Sequence, residues 1–265
     1  MRLFTPLRPN PAAPLAAANP AMKLAAAAVL MAVLFVSVDA VTATVILVGV
    51  LAAVSLSGLS PRTLLLRSWP ILLTALSVGI LNAAFAAPRA GPQVGIGPIS
   101  VSSESLLAGL GLGLRLLAIA FSGVLAMATT DPTRLADSLI AQLGFSPRFA
   151  VGALAAARLV PVMAVEWQVL SLARRARGVS GRGPLSAVRV FFGKLLALLI
   201  GAVRRATRLA SAMEARGFGS RPCRTAAREE RVRRSDWLLL AGSVTLGMLA
   251  VGLSLALGTW RFLFG

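Results

Sequence analysis

Apolar residues run along this chain in long uninterrupted blocks rather than in strict alternation. Leu24 to Ser57 is apolar apart from Asp39. At ~1.5 Å per helical residue that stretch is too long for one membrane crossing and just long enough for two short ones turning at Asp39. Charge-free Ser68 to Pro88 predicts a third span, Ser105 to Thr130, interrupted only by Arg115, a fourth, and Trp237 to Trp260 a fifth. The first block, Leu24 to Val38, resembles a signal peptide in length, but the span that follows it at once makes it half of a retained hairpin.

From Asp131 to Asp236 the pattern changes, because Arg148, Arg158, Glu166, Arg174, Arg189, Lys194 and Arg204 keep interrupting the apolar runs. This predicts helices that do not span. Asp131-Pro132 supplies an N-cap and a Pro at the first helical position; Leu135, Leu139, Ile140 and Leu143 then form one apolar stripe before Gly144 ends the helix. A second helix is expected from about Pro147 to Arg177, with a kink expected at Pro161 and a stop at Gly178. A third is expected from about Leu185 to Arg216, stopping at Gly217, across the link Gly178 to Pro184. The expected organisation is an N-terminal cytosolic segment (1–20), a four-helix transmembrane region (21–130), a cytosolic helical region (131–236) and a C-terminal transmembrane helix (237–265). The fold class is an all-α integral membrane protein with about five transmembrane helices plus long cytosolic amphipathic helices.

Composition agrees with a bilayer as solvent: 57% of residues are apolar and the mean hydropathy is +0.82. The chain has no His and no Tyr, and Cys223 is its one cysteine. Neither a disulfide nor a Cys/His metal site can therefore be built, and imidazole catalysis is excluded. No Gly-rich phosphate loop, carboxylate cluster or Ser with a plausible base is present, so no enzymatic activity and no cofactor are expected.

The net charge of +18 takes its meaning from position. With the N-terminus inside, 24 of the 27 Lys and Arg residues fall on the cytosolic side, nineteen of them between Asp131 and Asp236; Arg89 and Arg261 fall outside and Arg115 lies within a span. That asymmetry satisfies the positive-inside rule and places a multi-pass chain in the cytoplasmic membrane with a cytosolic N-terminus. It leaves the basic run Arg221, Arg224, Arg228, Arg231, Arg233 and Arg234 as an anchor able to touch anionic lipid.

One pattern repeats. Ala176-Arg177-Gly178 closes the second cytosolic helix and Ala215-Arg216-Gly217 closes the third, 39 residues later. As plain helix stops, the arginines complement the helix dipole and the glycines take the left-handed conformation. As a functional pair, each offers a forked, always-charged donor at a helix tip, suited to an acidic or carbonyl-lined groove on a partner.

Further stretches accompany this pair: Asn19-Pro20-Ala21-Met22-Lys23-Leu24, Thr129-Thr130-Asp131-Pro132, Ala157-Arg158-Leu159-Val160-Pro161, Ala173 to Gly178, and Met213-Glu214-Ala215-Arg216-Gly217-Phe218-Gly219. Together, from about residue 19 to the end, they resemble the transmembrane T component of energy-coupling factor (ECF) transporters, ABC-type importers of vitamins and transition-metal ions. Asn19 stands where that family usually has Asp. The resemblance implies that the long cytosolic helices are coupling helices whose tips dock on two ABC-type ATPase subunits. Ala176, Arg177 and Gly178 would form one docking motif, and Glu214, Ala215, Arg216 and Gly217 the other. It also implies a separate substrate-binding membrane subunit (S component), held by the spans and the apolar faces of the coupling helices. ATP-driven closure of the ATPases would move those helices and topple that subunit. Arg115 is open between a contact to the S component and a bond to a backbone carbonyl or helix neighbour.

The rival reading from the residues is a membrane-anchored basic protein that binds anionic lipid or nucleic acid; it predicts salt-sensitive binding spread over many Lys and Arg. The positive-inside bias already explains the charge without nucleic acid. A self-contained secondary transporter would show inverted repeats and broken spans, and the two halves here do not resemble each other.

Overall fold

In the computed structural model the described residues are 13–58, 64, 66, 68–85, 93–96, 99–179, 183–218 and 230–260. Arg221, Arg224, Arg228, Gly219 and Cys223 lie outside them. In chain order the elements are α1 (Pro14–Ala17), α2 (Pro20–Val36), α3 (Ala40–Leu56), α4 (Trp69–Phe85), β1 (Gln93–Ile96), β2 (Ile99–Ser102), α5 (Ser103–Ala128), α6 (Pro132–Leu143), α7 (Pro147–Ala176), α8 (Pro184–Ala215) and α9 (Arg234–Ala256). The fold is all-helical apart from the antiparallel β1–β2 pair, which the apolar-block pattern did not predict.

The local signals act where the pattern puts them. The Asn19 side chain accepts the Ala21 amide at 3.0 Å and caps α2, with Pro20 at the first helical position. Asp39 turns the first hairpin: it accepts the Thr42 amide at 2.7 Å and the Ser37 hydroxyl, and so caps α3. Asp131 accepts the Thr133 and Arg134 amides at 2.7 and 3.1 Å and caps α6, which stops at Gly144 with φ +64°.

Four helices among the described residues, α5, α7, α8 and α9, are long and apolar enough to cross a membrane by length and composition. The helices α2, α3 and α4 are apolar but have 17 residues each, about 25 Å of helix. The chain divides into two compact units, one comprising residues up to Ser138 and from Glu230 onward, the other Leu139–Glu229. These borders fall inside the 131–236 limits expected from charge, because the first two turns of α6 and the approach to α9 belong to the first unit.

In the first unit, α5 packs on α2, α3 and α4, and α9 packs on α2 and α3. Leu34, Ile46, Ala43, Val50, Ala118, Phe121 and Ala250 form its core. Between α4 and α5 the backbones nearly touch: a Cβ on Gly109 would lie 2.4 Å from the Gly79 carbonyl oxygen, and one on Gly113 would lie 3.2 Å from that of Ala75. Small residues at such crossings let helices associate where lipid removes the hydrophobic drive.

Polar groups of this unit gather at its two ends. At one end Lys23, 3% exposed, donates to the carbonyls of Ala16 (3.1 Å) and Thr129 (2.8 Å), and Asp236 accepts the Asn19 amide at 3.0 Å. At the other, Thr42 donates to the Ala250 carbonyl beside the buried Asp39. The starts of α2 and α9 and the end of α5 therefore share one side, and the α2–α3 turn and the end of α9 share the opposite side, as alternating spans require.

Candidate functional site

The second unit carries both arginine tips. Its helices α7 and α8 run antiparallel, since Arg174 reaches the Val190 carbonyl (3.2 Å), Lys194 reaches Ser171 (3.3 Å), and Arg205 grips both oxygens of Glu166 (2.8 and 2.7 Å). Trp167 meets Phe191 edge to face at 5.4 Å, and the Lys194 ammonium lies 4.3 Å from the Trp167 ring centroid. Gly193 and Gly201 make room for this layer: a Cβ on Gly193 would meet Arg174 Nη1 at 2.8 Å, and one on Gly201 would lie 3.6 Å from Glu166 Oε1.

The two helices end in the same way. In α7, Ala176 is the last helical residue and Arg177 is the C-cap (φ −85°, ψ 10°). Gly178 follows at φ +72°, the Gly178 amide bonds the Arg175 carbonyl (3.0 Å), and the Val179 amide bonds that of Arg174 (3.0 Å). In α8, Ala215 is last and Arg216 is the C-cap (φ −86°, ψ 9°). Gly217 has φ +71°, its amide bonds the Glu214 carbonyl (2.9 Å), and the Phe218 amide bonds that of Met213 (3.0 Å). Both are Schellman motifs, in which only Gly fits the left-handed position without strain. The end of α9 repeats the hydrogen-bond pattern with Leu257 at the C-cap and Gly258 at φ +64°. Among the described residues the glycine stop therefore recurs beyond this pair, while an arginine at the C-cap is seen at α7 and α8.

Arg177, Arg216 and Glu214 are all exposed, and among the described residues none of the three is in an ion pair. Because the helices are antiparallel, the two arginines lie at opposite ends of the pair, about 45 Å apart for a 30-residue helix. The α7–α8 surface is otherwise open and carries many exposed apolar side chains among its arginines: Ala150 is the buried residue of α7, and α8 has none. Phe149, Val165, Leu172, Leu185, Phe192 and Leu199 are each more than half exposed. A groove of about 650 Å³ runs between Gly152, Ala155 and Ala156 of α7 and Ala206 and Ala210 of α8, ending at Glu214, Gly217 and Phe218.

Arg115 lies elsewhere, in α5 of the first unit. Its Nη2 donates to the Phe35 carbonyl at 2.7 Å, and so bonds a free carbonyl in the last turn of α2. Sequence reasoning missed a second group of charged residues. Arg134 pairs with Glu230 through Nε at 2.6 Å and Nη2 at 3.1 Å, and it also donates to the Ala16 and Ala17 carbonyls at 3.4 and 3.2 Å. The Glu230 hydrogen bond holds the Arg134 guanidinium above its ordinary value. Burial pushes the Asp131 carboxyl up, but the Arg134 and Thr133 amides outweigh it and hold the group below the usual carboxylate range.

Residues 12–226 match the model of the CbiQ family, described as cobalt transport protein. The chain is 32% identical to the energy-coupling factor transporter transmembrane protein EcfT of Thermanaerovibrio acidaminovorans over 78% of each chain. It is 28% identical to the protein of the same name in Thermosediminibacter oceani, over 80% of this chain and 81% of that one. It also matches a putative ABC transporter ATP-binding protein of Bifidobacterium longum, at 25% identity over 72% of this chain but only 24% of that longer protein. With a family match over most of its length, relatives of this name, and a helical fold with apolar helices of spanning length, the chain belongs to the CbiQ/EcfT family and is a transmembrane (T) component of an energy-coupling factor transporter.

Proposed function

We propose that this chain transmits ATP-driven movement from two ABC-type ATPase subunits to a separate substrate-binding membrane subunit, for uptake of a vitamin or a transition-metal ion. Arg177 and Arg216 each dock one ATPase, supported by Ala176 and Gly178 and by Glu214, Ala215 and Gly217. The observation that carries this reading is the pair of identical C-cap arginines at opposite ends of one antiparallel helix pair. Two equal contacts about a helix length apart suit two equal partners side by side. The Bifidobacterium longum relative, in which the matching part is a quarter of a protein named for ATP binding, is in keeping with such a partnership. The exposed apolar surface of α7 and α8 is the surface for the substrate-binding subunit and the bilayer.

In this reading α7 and α8 lie on the cytosolic side and do not span, and the N-terminus is cytosolic. Arg148, Arg158, Arg189 and Lys194 are set along their apolar lengths, where a charge at the bilayer centre costs ~2.5–3.5 kcal/mol on insertion scales. The length and composition of α7 and α8 favour a second reading, in which both cross the membrane. An antiparallel crossing would put Arg177 and Arg216 on opposite faces, so the two could not dock on ATPases of one compartment.

Losing one charge-assisted interfacial contact costs ~2–5 kcal/mol, and ~1.4 kcal/mol is tenfold in affinity. Arg177→Glu or Arg216→Glu should therefore lower uptake more than tenfold at normal membrane levels, and the double variant should lose the co-purifying ATPases. The plain helix-stop reading allows only ~0.3–1 kcal/mol. Arg189→Glu and Arg208→Glu, equally exposed on α8, serve as controls. Loss of uptake in these controls as deep as at the two tips would make general basicity the requirement and sink specific docking.

A further inference from the structure

The chain passes from the first unit to the second after Ser138 and returns at Glu230. Arg134 precedes the first passage by one helical turn, and Glu230 stands at the second. The two side chains are joined by a forked, charge-assisted pair across 96 residues. The same guanidinium also holds the Ala16 and Ala17 carbonyls at the end of α1, where Lys23 takes the Ala16 carbonyl too. Arg134 and Glu230 are 32% and 16% exposed, so the pair is partly withdrawn from solvent. A surface ion pair of low value does not require four bonds to two remote segments.

We propose that Arg134 and Glu230 are positioning residues for energy coupling, a staple that fastens together the two chain passages between the units. Movement arriving from α7 and α8 is then delivered to the first unit at one fixed point. Without the staple, the two passages flex separately and absorb part of the movement. This inference rests on the coupling function proposed above. A merely stabilising pair would, when lost, lower assembly, ATP hydrolysis and uptake together. A positioning pair, when lost, lowers uptake per ATP hydrolysed.

The test uses the complex co-purified with its ATPase and substrate-binding subunits and reconstituted in liposomes. The probes are labelled biotin, thiamine, cobalt and nickel, and the one the unaltered complex accumulates is used thereafter. Arg134→Gln and Glu230→Gln should keep subunit recovery and ATPase rate within about twofold while uptake per ATP falls about tenfold, and Arg134→Lys, which keeps the charge but not the fork, should fall between. In a Cys223→Ser background, the double variant Arg134→Cys with Glu230→Cys should be similarly uncoupled. A short bifunctional methanethiosulfonate that bridges the two thiols should restore uptake, and reductant should abolish it again. Unchanged uptake per ATP in the two Gln variants, or a bridged pair that stays uncoupled, overturns the staple. Failure of the unaltered chain to recover any ATPase or accumulate any probe counts instead against the coupling function itself.

Discussion

The Lys23 ammonium donates to the Thr129 carbonyl at 2.8 Å across 106 residues of sequence, and so locks the start of α2 to the end of α5. Two stretches that carry the family resemblance, the Asn19 to Leu24 run and the Thr129 to Pro132 run, thus meet at one point. With the Ala16 carbonyl as second acceptor, the amine closes one end of the first unit. Lys23→Met keeps the apolar stem but removes the donor to the buried Thr129 carbonyl and leaves the Ala16 carbonyl with only the longer Arg134 bond, at about 1–3 kcal/mol for the unsatisfied group. Thermal unfolding in detergent should shift down by several degrees; an unshifted midpoint would show that water or another donor reaches these carbonyls.

The α4–α5 contact gives a steric prediction. Gly109→Ala drives a methyl to within 2.4 Å of the Gly79 backbone, which has no flexible end to yield, so the helices must separate. The expected loss is about 1–3 kcal/mol, the range for overpacking. Gly252→Ala, with nothing within 4 Å, is the matched control and should be neutral. Size-exclusion profiles before and after heating separate the two, and equal behaviour would mean that α4 and α5 have no fixed register.

Topology is testable at Leu185, which is 87% exposed at the start of α8. In a Cys223→Ser background, Leu185→Cys should resist a membrane-impermeant maleimide applied to intact cells and react after permeabilisation. Val38→Cys, in the turn between α2 and α3, should react from outside. Labelling of position 185 in intact cells would establish α7 and α8 as spans and remove the docking of both tips in one compartment.

Asp131 yields a pH dependence. Its carboxyl is held below its unfolded value, so its contribution is fully present above that unfolded value, ~3.9, and is lost as pH falls through the lower folded one. Removing the cap in Asp131→Ala should cost ~1 kcal/mol near neutral pH. The gap in unfolding temperature between the unaltered chain and Asp131→Ala should stay constant from pH 8 to about 5 and close below about 4. A gap that widens on acidification would contradict the sign of this shift.

Much of this structure was written locally. Asp39 between two apolar runs marks the first turn, Asp131-Pro132 marks the start of α6, and Gly178 and Gly217 mark the stops of α7 and α8 within a residue of expectation. Each of these signals acts within one helical turn. The arginine tips were legible for the same reason, since the cap and its glycine are neighbours. Their opposition was less so: it follows from the short link between α7 and α8, which forces an antiparallel return. Arg134 with Glu230, and Lys23 with Thr129, could not be read from periodicity. Such partners are chosen by how helices pack, and a basic residue near a span satisfies the positive-inside rule whether or not it finds a partner. Burial of Lys23 shows the difference, because by charge it counts as one more cytosolic cation and in the fold it is an internal fastener. The β1–β2 pair escaped notice because four-residue strands hold too few alternations to stand out beside long apolar blocks.

The 17-residue length of α2, α3 and α4 acts on the lipid as well as on the protein. Each is some 5 Å shorter than a hydrocarbon core of ~30 Å. A bilayer meets such a deficit by compressing around the protein, at fractions of a kcal/mol per ångström of mismatch. Local thinning of the membrane beside α2 and α3 is the expected consequence of that length, and lipid around the reconstituted chain should be measurably thinner there than in the undisturbed bilayer.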